Sequence, residues 1–390
     1  MIDLLGEFSL PVSEFSLKLI LPVGISFYTF QTMSYVIDVY RGDIKAEKHF
    51  GYYALFVSFF PQLVAGPIER PSNLIPQLKE KHSPKFDDFS AGFSKMLIGF
   101  FKKIVVADGI AIYVNSVYNN ASSATALSVL LATVLFSFQI YCDFSGYTDI
   151  AIGAARVLGI RLMQNFDRPY SATTIKDFWS KWHISLSSWF RDYLYIPLGG
   201  SRCSKSRHMW NLFFVFIVSG LWHGAAWTFV LWGALHGIYQ VIGAITHKTR
   251  TNLKQKIGIR DGSLLSRAIG KISVFSLVSF AWIFFRANTV TDLGNLLSIL
   301  FTKWEFSAEY FNTTIASMGI TGFGVIFALL SIVMLHILDS RGISDTGVEE
   351  DCGSTSISAF RIVCLFLLIA IVWLSMLESD TASTFIYFQF

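Results

Sequence analysis

Three histidines stand in stretches otherwise built from apolar and aromatic residues. His183 lies in FWSKWHISLSSWFR, Phe178 to Arg191, and His223 and His236 lie in SGLWHGAAWTFVLWGALHG, Ser219 to Gly237. Imidazole has an unperturbed pKa of about 6.5, so it can accept and return a proton near neutral pH. An ionisable group in an apolar run is costly and asks for a reason. His223 sits between Trp222 and Gly224 and follows Gly220 by one turn. Small residues allow close approach of backbone or substrate, and tryptophans exclude water. On residues alone, His223 reads either as a hydrogen-bonded packing histidine or as an acid/base group. His236 reads as a packing residue.

Placed at 100° per residue, Trp179, Trp182, Leu186, Trp189 and Phe190 share one helical face, Lys176, Lys181 and Arg191 lie off it, and His183 falls on the border. This pattern predicts a surface helix in a membrane interface, with aromatics at headgroup depth and cations outward. His183 is then either an ordinary interfacial histidine or part of a site. A metal centre is disfavoured. The histidines form no HxxxH or HxxHH pair, and Cys142, Cys203, Cys352 and Cys364 form no CxxC pair. On a straight helix His223 and His236 stand about 20 Å apart and about 140° around the axis, so they cannot share an ion unless the helix is broken. Two acids, Asp143 and Asp149, flank a Ser-Gly-Tyr turn predicted in QIYCDFSGYTDIAIG. They either cap helix ends and pair with Arg156 or Arg168, or help to line a polar site.

The elements that position these groups are those of a polytopic membrane protein. The 390 residues are 53% hydrophobic, 16% aromatic and only 15% charged, outside the habits of soluble domains. A crossing needs roughly 20 mostly apolar residues. The clearest candidates are Leu17 to Val39, Thr125 to Tyr141, Leu212 to Ile245 with a break near Gly220, Ile272 to Phe285, Ile320 to Leu338 and Ile362 to Met376. The runs Tyr52 to Ala65, Phe93 to Val117 and Ile150 to Ile160 read as tilted, re-entrant or interfacial pieces. Roughly seven to ten crossings in one domain are expected. The net charge of +4 comes in patches beside apolar runs, which points to membrane orientation and not to nucleic acid. The segment Thr246 to Lys271, rich in Lys and Arg, is expected to face the cytoplasm, whereas the acidic loop Asp339 to Ser358, on the same side by span count, gives that orientation no support.

The run FWSKWHISLSSWFRDYLYIPLGGSR, followed by SGLWHGAAWTFVLWGALHG, resembles the core of the membrane-bound O-acyltransferase superfamily, in its bacterial branch of alginate O-acetyltransferase type. The likeness extends to SFYTFQTMSYVIDVYRG, FFPQLVAGPIERPSNLIPQ, YCDFSGYTDIAIGAARVLGI, WIFFRA and the terminal FIYFQF, in family order over nearly the whole chain. The resemblance implies an all-α ring of tilted transmembrane helices around a tunnel or funnel, in a single membrane-embedded domain over residues 1–390. Relatives of this type begin with several hydrophobic helices ahead of the SFYTFQTMSYVIDVYRG motif, so the chain is expected to lack those helices and its ring to be incomplete.

The same resemblance implies transfer of an acyl group, usually acetyl, from a cytoplasmic donor to hydroxyls of an extracytoplasmic glycan such as an alginate-like exopolysaccharide or peptidoglycan. It places the family's near-invariant histidine on His223 and its second histidine on His183. His223 is expected to act as general base or transient acyl acceptor, and His183 to orient substrate or polarise the carbonyl. Trp182, Trp222, Ser185, Ser187, Arg191 and Asp143 are expected to bind substrate or shape the polar entrance. Acetyl-CoA is the expected donor, with no tightly bound cofactor or metal. An SGNH-type partner outside the membrane, membrane lipids and a location in the inner membrane complete the expectation. The competing readings are D-alanyl transfer to a cell-wall polymer and transport of a lipid-linked glycan with the histidines as a proton relay.

Overall fold

A computed structural model describes residues 24–63, 66–83, 85–319 and 322–340, together with residue 371. Among these the regular elements are all helices, with no strand. Helix α1 (Ile25–Arg41) leads through α2 (Phe50–Ser58) and α3 (Pro71–Lys79) to α4 (Phe86–Phe100), which runs on as a π-helical turn, Phe101–Asp108, into α5 (Gly109–Tyr118). The long α6 (Ala126–Val157) is followed by the short α7 (Ile175–Lys181) and α8 (Ile184–Phe190), then by the pair α9 (Lys205–His223) and α10 (Trp227–Lys256). The described part closes with α11 (Leu264–Arg286), α12 (Val290–Thr302), α13 (Ala308–Met318) and α14 (Gly322–Ser340). Among the described residues three helices, α6, α10 and α11, are long and apolar enough to cross a membrane, and α12 and α14 contain shorter apolar segments. The expected span Ile362 to Met376, the loop Asp339 to Ser358 and the terminal FIYFQF lie largely or wholly outside the described residues.

Two glycine-mediated crossings set the spacing of the bundle. Between α4 and α6, Gly92 faces Gly153 and Gly99 faces Gly146, in antiparallel register. A Cβ on Gly92 would stand 2.6 Å from the Gly153 carbonyl oxygen, and one on Gly99 2.5 Å from the Gly146 oxygen. Between α9 and α10, a Cβ on Gly220 would stand 2.3 Å from the Phe229 oxygen, and one on Gly233 2.3 Å from the Phe216 oxygen. Backbones touch at these points because no side chain intervenes, the usual device for packing helices in lipid.

The Ser-Gly-Tyr segment is no turn. Helix α6 passes unbroken through Asp143, Gly146 and Asp149 to Val157. Gly146 lets α4 approach, and the flanking acids are neutralised across that contact. Asp149 receives Lys95 Nζ at 3.1 Å on Oδ1 and Lys102 Nζ at 2.8 Å on Oδ2, and Asp143 pairs with Lys103. The expected partners are engaged elsewhere, Arg156 with Asp88 and Arg168 with Asp167. Lys102 and Lys103 sit on the π-helical turn and, although consecutive, reach different carboxylates. The break expected near Gly220 lies at Gly224 to Ala226 instead, because Gly220 is needed inside α9 for the contact with α10.

Removing one partner of a buried ion pair leaves an uncompensated charge, at about 3–5 kcal/mol. We therefore expect Asp149→Ala, which strands two lysines, to lower the unfolding temperature of the detergent-purified protein far more than Asp167→Ala, which removes an exposed pair. Equal melting curves for the two variants would contradict this account of the α4–α6 contact.

Candidate active site

The stretch Phe178 to Arg191 is not a continuous surface helix. It folds as α7 and α8 with a sharp bend at Trp182 and His183, and His183 takes left-handed backbone angles, φ 45° and ψ 56°. The aromatic face is buried: Trp179, Trp182, His183 and Trp189 all lie in the core. The cause is tertiary. The loop after α6 lays Asn165 against the start of α8, where its backbone oxygen accepts from Ile184 N at 2.9 Å and its side-chain Oδ1 accepts from Ser185 N at 3.2 Å and Ser185 Oγ at 2.9 Å. These bonds satisfy N–H groups that a helix leaves open at its N-terminus. A helix running straight from α7 would have to give them up.

Asn165 also fixes the chemistry of His183. Because a backbone N–H can only donate, the Asn165 side-chain atom facing Ser185 N is oxygen. That same Oδ1 lies 3.0 Å from His183 Nδ1, which must therefore carry the proton. Neutral His183 is held with its lone pair on Nε2. Nε2 is fully buried and meets no hydrogen-bond partner among the described residues. His236 is fixed the opposite way. The indole Nε1–H of Trp179 donates to His236 Nδ1 at 3.3 Å, so the neutral ring carries its proton on Nε2.

The helix break brings the histidines into one aromatic cluster. Trp222 lies 6.2 Å from His183 and 4.9 Å from His223, ring centre to ring centre, and Trp232 lies 5.0 Å from both His223 and His236. Phe285 of the WIFFRA segment closes on His223 at 5.3 Å, and Phe144 meets His183 edge-on at 4.7 Å. His183 and His236 are sealed, at 1% and 0% exposure, whereas His223, the last residue of α9, is partly exposed. Gly224 beside it is required for space, since a Cβ there would stand 2.6 Å from the Phe229 ring. Among the described residues no group of three His, Cys, Asp or Glu side chains is close enough to hold a metal ion.

Of the expected site residues, His183, Trp222 and His223 come together. Ser185 is buried beneath them and serves Asn165, and Ser187 donates to the Trp182 carbonyl at 3.3 Å. Trp182 is buried in the core against Phe178 and Trp282. Asp143 is occupied by Lys103. Arg191 lies apart, in an exposed polar knot where its Nε donates to Asp192 Oδ1 at 2.7 Å, and that bond raises the guanidinium above its ordinary pKa. In the same knot Arg70 pairs with Asp192 at 3.0 Å and Tyr193 donates to Asp38 at 2.7 Å, which ties the GPIER, RDYLY and SYVIDVYRG motifs together. Sequence reasoning missed Asn165, Trp232 and Phe285 as neighbours of the histidines. Nothing in the spacing marks Asn165, whereas Trp232 was visible one turn before His236.

A family model described as the membrane-bound O-acyltransferase family matches residues 45–285, which include all three histidines. The chain is 34% identical over 379 residues to a "Probable alginate O-acetylase" of Pseudomonas putida, covering 95% of this chain and 75% of that protein. It is 39% identical over 312 residues to the peptidoglycan O-acetyltransferase of Helicobacter pylori, covering 73% and 57% of the two chains. It is 30% identical over 228 residues to the teichoic acid D-alanyltransferase of Bacillus subtilis, covering 55% and 57%. The chain thus spans between about half and three quarters of the length of these relatives.

If Asn165 holds both His183 and the start of α8, Asn165→Ala leaves several buried donors without a partner, at about 1–3 kcal/mol each. Ser185→Ala removes only one hydroxyl. We expect the thermal stability of the purified variants to fall in that order, with Asn165→Ala clearly the worse. A neutral Asn165→Ala would remove the basis for assigning the His183 tautomer.

Proposed function

The chain belongs to the membrane-bound O-acyltransferase family, a family of O-acyltransferases in the membrane, and on that premise we propose that it moves an acetyl group from acetyl-CoA, supplied from the cytoplasm, to hydroxyls of an extracytoplasmic polysaccharide. The observation that carries this reading is the meeting of His183 and His223, from two separate motifs, across Trp222 in an aromatic cluster. The acceptor hydroxyl oxygen attacks the thioester carbonyl while His223 takes its proton. The C–S bond then breaks, and the imidazolium returns the proton to the departing thiolate. His223 suits the base because it is the partly exposed histidine at a helix end. His183, a hydrogen-bond acceptor at Nε2, orients a hydroxyl of the glycan. It does not polarise the carbonyl, which would need a donor there. The surrounding rings keep water from the thioester.

Likeness to the alginate and peptidoglycan enzymes supports acetyl as the group and an envelope glycan as the acceptor. Likeness to the D-alanyltransferase supports a second reading, in which a carrier-borne D-alanyl group passes through the same histidines. A partner of SGNH type outside the membrane is part of the first reading. The inner membrane is its location, with the basic segment Thr246 to Lys271 on the cytoplasmic side.

Transfer from [14C]acetyl-CoA to a glycan acceptor, measured on purified variants at matched protein level, tests the assignment. His223→Ala is expected to lose about 10²- to 10⁴-fold in turnover, with no rescue by Gln, because an amide cannot take the proton. His183→Gln should retain more activity than His183→Ala, since its carbonyl oxygen still accepts a hydrogen bond. His236→Ala should lose least. Wild-type turnover in His223→Ala would sink the mechanism, and label taken only from a D-alanyl carrier would favour the second reading. For orientation, Lys254→Cys in a background without native cysteines should resist an impermeant maleimide in intact cells. Labelling before lysis would reverse it.

A further inference from the structure

The end of α6 opposite Thr125 encloses a cavity of about 190 Å³ that the acyl-transfer reading does not use. Its wall has two chemistries. Ala91, Ile152, Ile160 and Leu162 make an apolar side, and Lys95, Arg156 and Arg161 bring three cations with no carboxylate in the lining. Gln164 adds an amide.

The cations are held by the fold. Lys95 is buried and shares Asp149 with Lys102, so two ammonium groups stand on one carboxylate. Arg156 meets Asp88 through Nε at 3.4 Å. Arg161 has no ion pair among the described residues, yet its backbone is fixed at both ends by one side chain: Gln77 Oε1 accepts from Arg161 N at 2.8 Å, and Gln77 Nε2 donates to Arg161 O at 3.0 Å. The neighbouring Met163 N–H donates to Glu69, a carboxyl that burial pushes above its ordinary pKa. This strip therefore presents a guanidinium from an anchored backbone, which lowers the ordering cost of binding.

The cavity lies on the basic face of the bundle. Helices α6 and α11 run antiparallel: Ser137 bonds Ser279 at 2.9 Å in mid-helix, while the last residue of α11, Arg286, reaches Asn115 at 2.8 Å near the start of α6. Arg156, at the far end of α6, is therefore on the side of residues 257–263, the turn within the Lys- and Arg-rich segment. Arginines beside an apolar wall at that end of the bundle are suited to a phosphate carried by an amphiphile, because guanidinium binds phosphate oxygens bidentately and basic pockets between membrane helices take lipid headgroups.

We propose that this cavity, between α4, α6 and the strip Ile160 to Gln164, is a binding site for a phosphate ester. The phosphate comes either from an anionic phospholipid of the surrounding leaflet or from a soluble phosphorylated molecule, and the two sources are separable. Protein in phosphatidylcholine nanodiscs is titrated with coenzyme A, and protein in detergent is titrated with phosphatidylglycerol, each followed by thermal shift and by native mass spectrometry. The variants are Arg161→Gln, which breaks no ion pair among the described residues and should fold, and Arg156→Gln/Arg161→Gln. Lys303→Gln, an exposed cation beyond α12, is the control. Retention of phosphatidylglycerol but not coenzyme A, falling about fivefold in Arg161→Gln and further in the double variant, assigns a lipid headgroup, at about a factor of five per cation near a membrane surface. The converse pattern assigns a soluble phosphate. If neither probe binds, or if binding is unchanged in Arg161→Gln or falls equally in Lys303→Gln, the proposal is wrong.

Discussion

The arrangement of the site depends on a place where two backbones touch. Gly220 and Gly233 bring α9 and α10 so close that a single methyl group on either would strike the other helix's carbonyl. That contact lets the chain reverse within Gly224 to Ala226 and return Trp232 to the side of His223. With larger residues at the crossing, the pair would splay, Trp232 would leave His223, and the aromatic enclosure would open. Lipid offers no hydrogen-bonding alternative to repair such a gap. The chemistry of the histidines is therefore secured by residues without side chains.

The same economy governs α4 and α6. Close approach through Gly92, Gly99, Gly146 and Gly153 buries Asp143 and Asp149 against the facing segment, so their charges are answered by cations there. Lys95, Lys102 and Lys103 do this for Asp149 and Asp143. An ion pair of this sort is weak evidence for stability, since well-packed apolar residues often do as well. Its better attested use is to fix register, because sliding α4 by one turn would strand every charge at once. Register here has a direct consequence, for Phe144, next to Asp143 on α6, packs edge-on against His183.

Much of this was legible in the sequence, for identifiable reasons. The membrane class follows from composition, and the motif histidines His183 and His223, with Trp222 beside them, are local signals that survive folding. What could not be read was whatever depended on a partner distant in the chain. The amphipathic pattern of Phe178 to Arg191 was genuine, but it describes a helix facing a lipid interface and a helix pair wrapped in protein equally well. The bend at His183 depends on Asn165, which no periodicity connects to it. Likewise the pairing of Asp143 and Asp149 with lysines of α4 and of the π-helical turn after it follows from a crossing that glycine spacing hints at but does not specify.

Hydrogen-bonding partners distinguish His183 from His236. Asn165 offers His183 only an acceptor, and Trp179 offers His236 only a donor, so the neutral rings are locked in opposite tautomers. Exchange of a proton through either ring would require its partner to turn over, which a buried asparagine bonded to Ser185 and a packed indole resist. Each of these rings keeps its Nε2 outside the lock, as an acceptor in His183 and as a donor in His236. His183 and His236 are each locked at Nδ1 and sealed from solvent, whereas His223 ends its helix and keeps accessible surface. In the proposed reaction the accessible ring takes up and returns the proton, while His183 presents a fixed acceptor and His236 a fixed donor at Nε2.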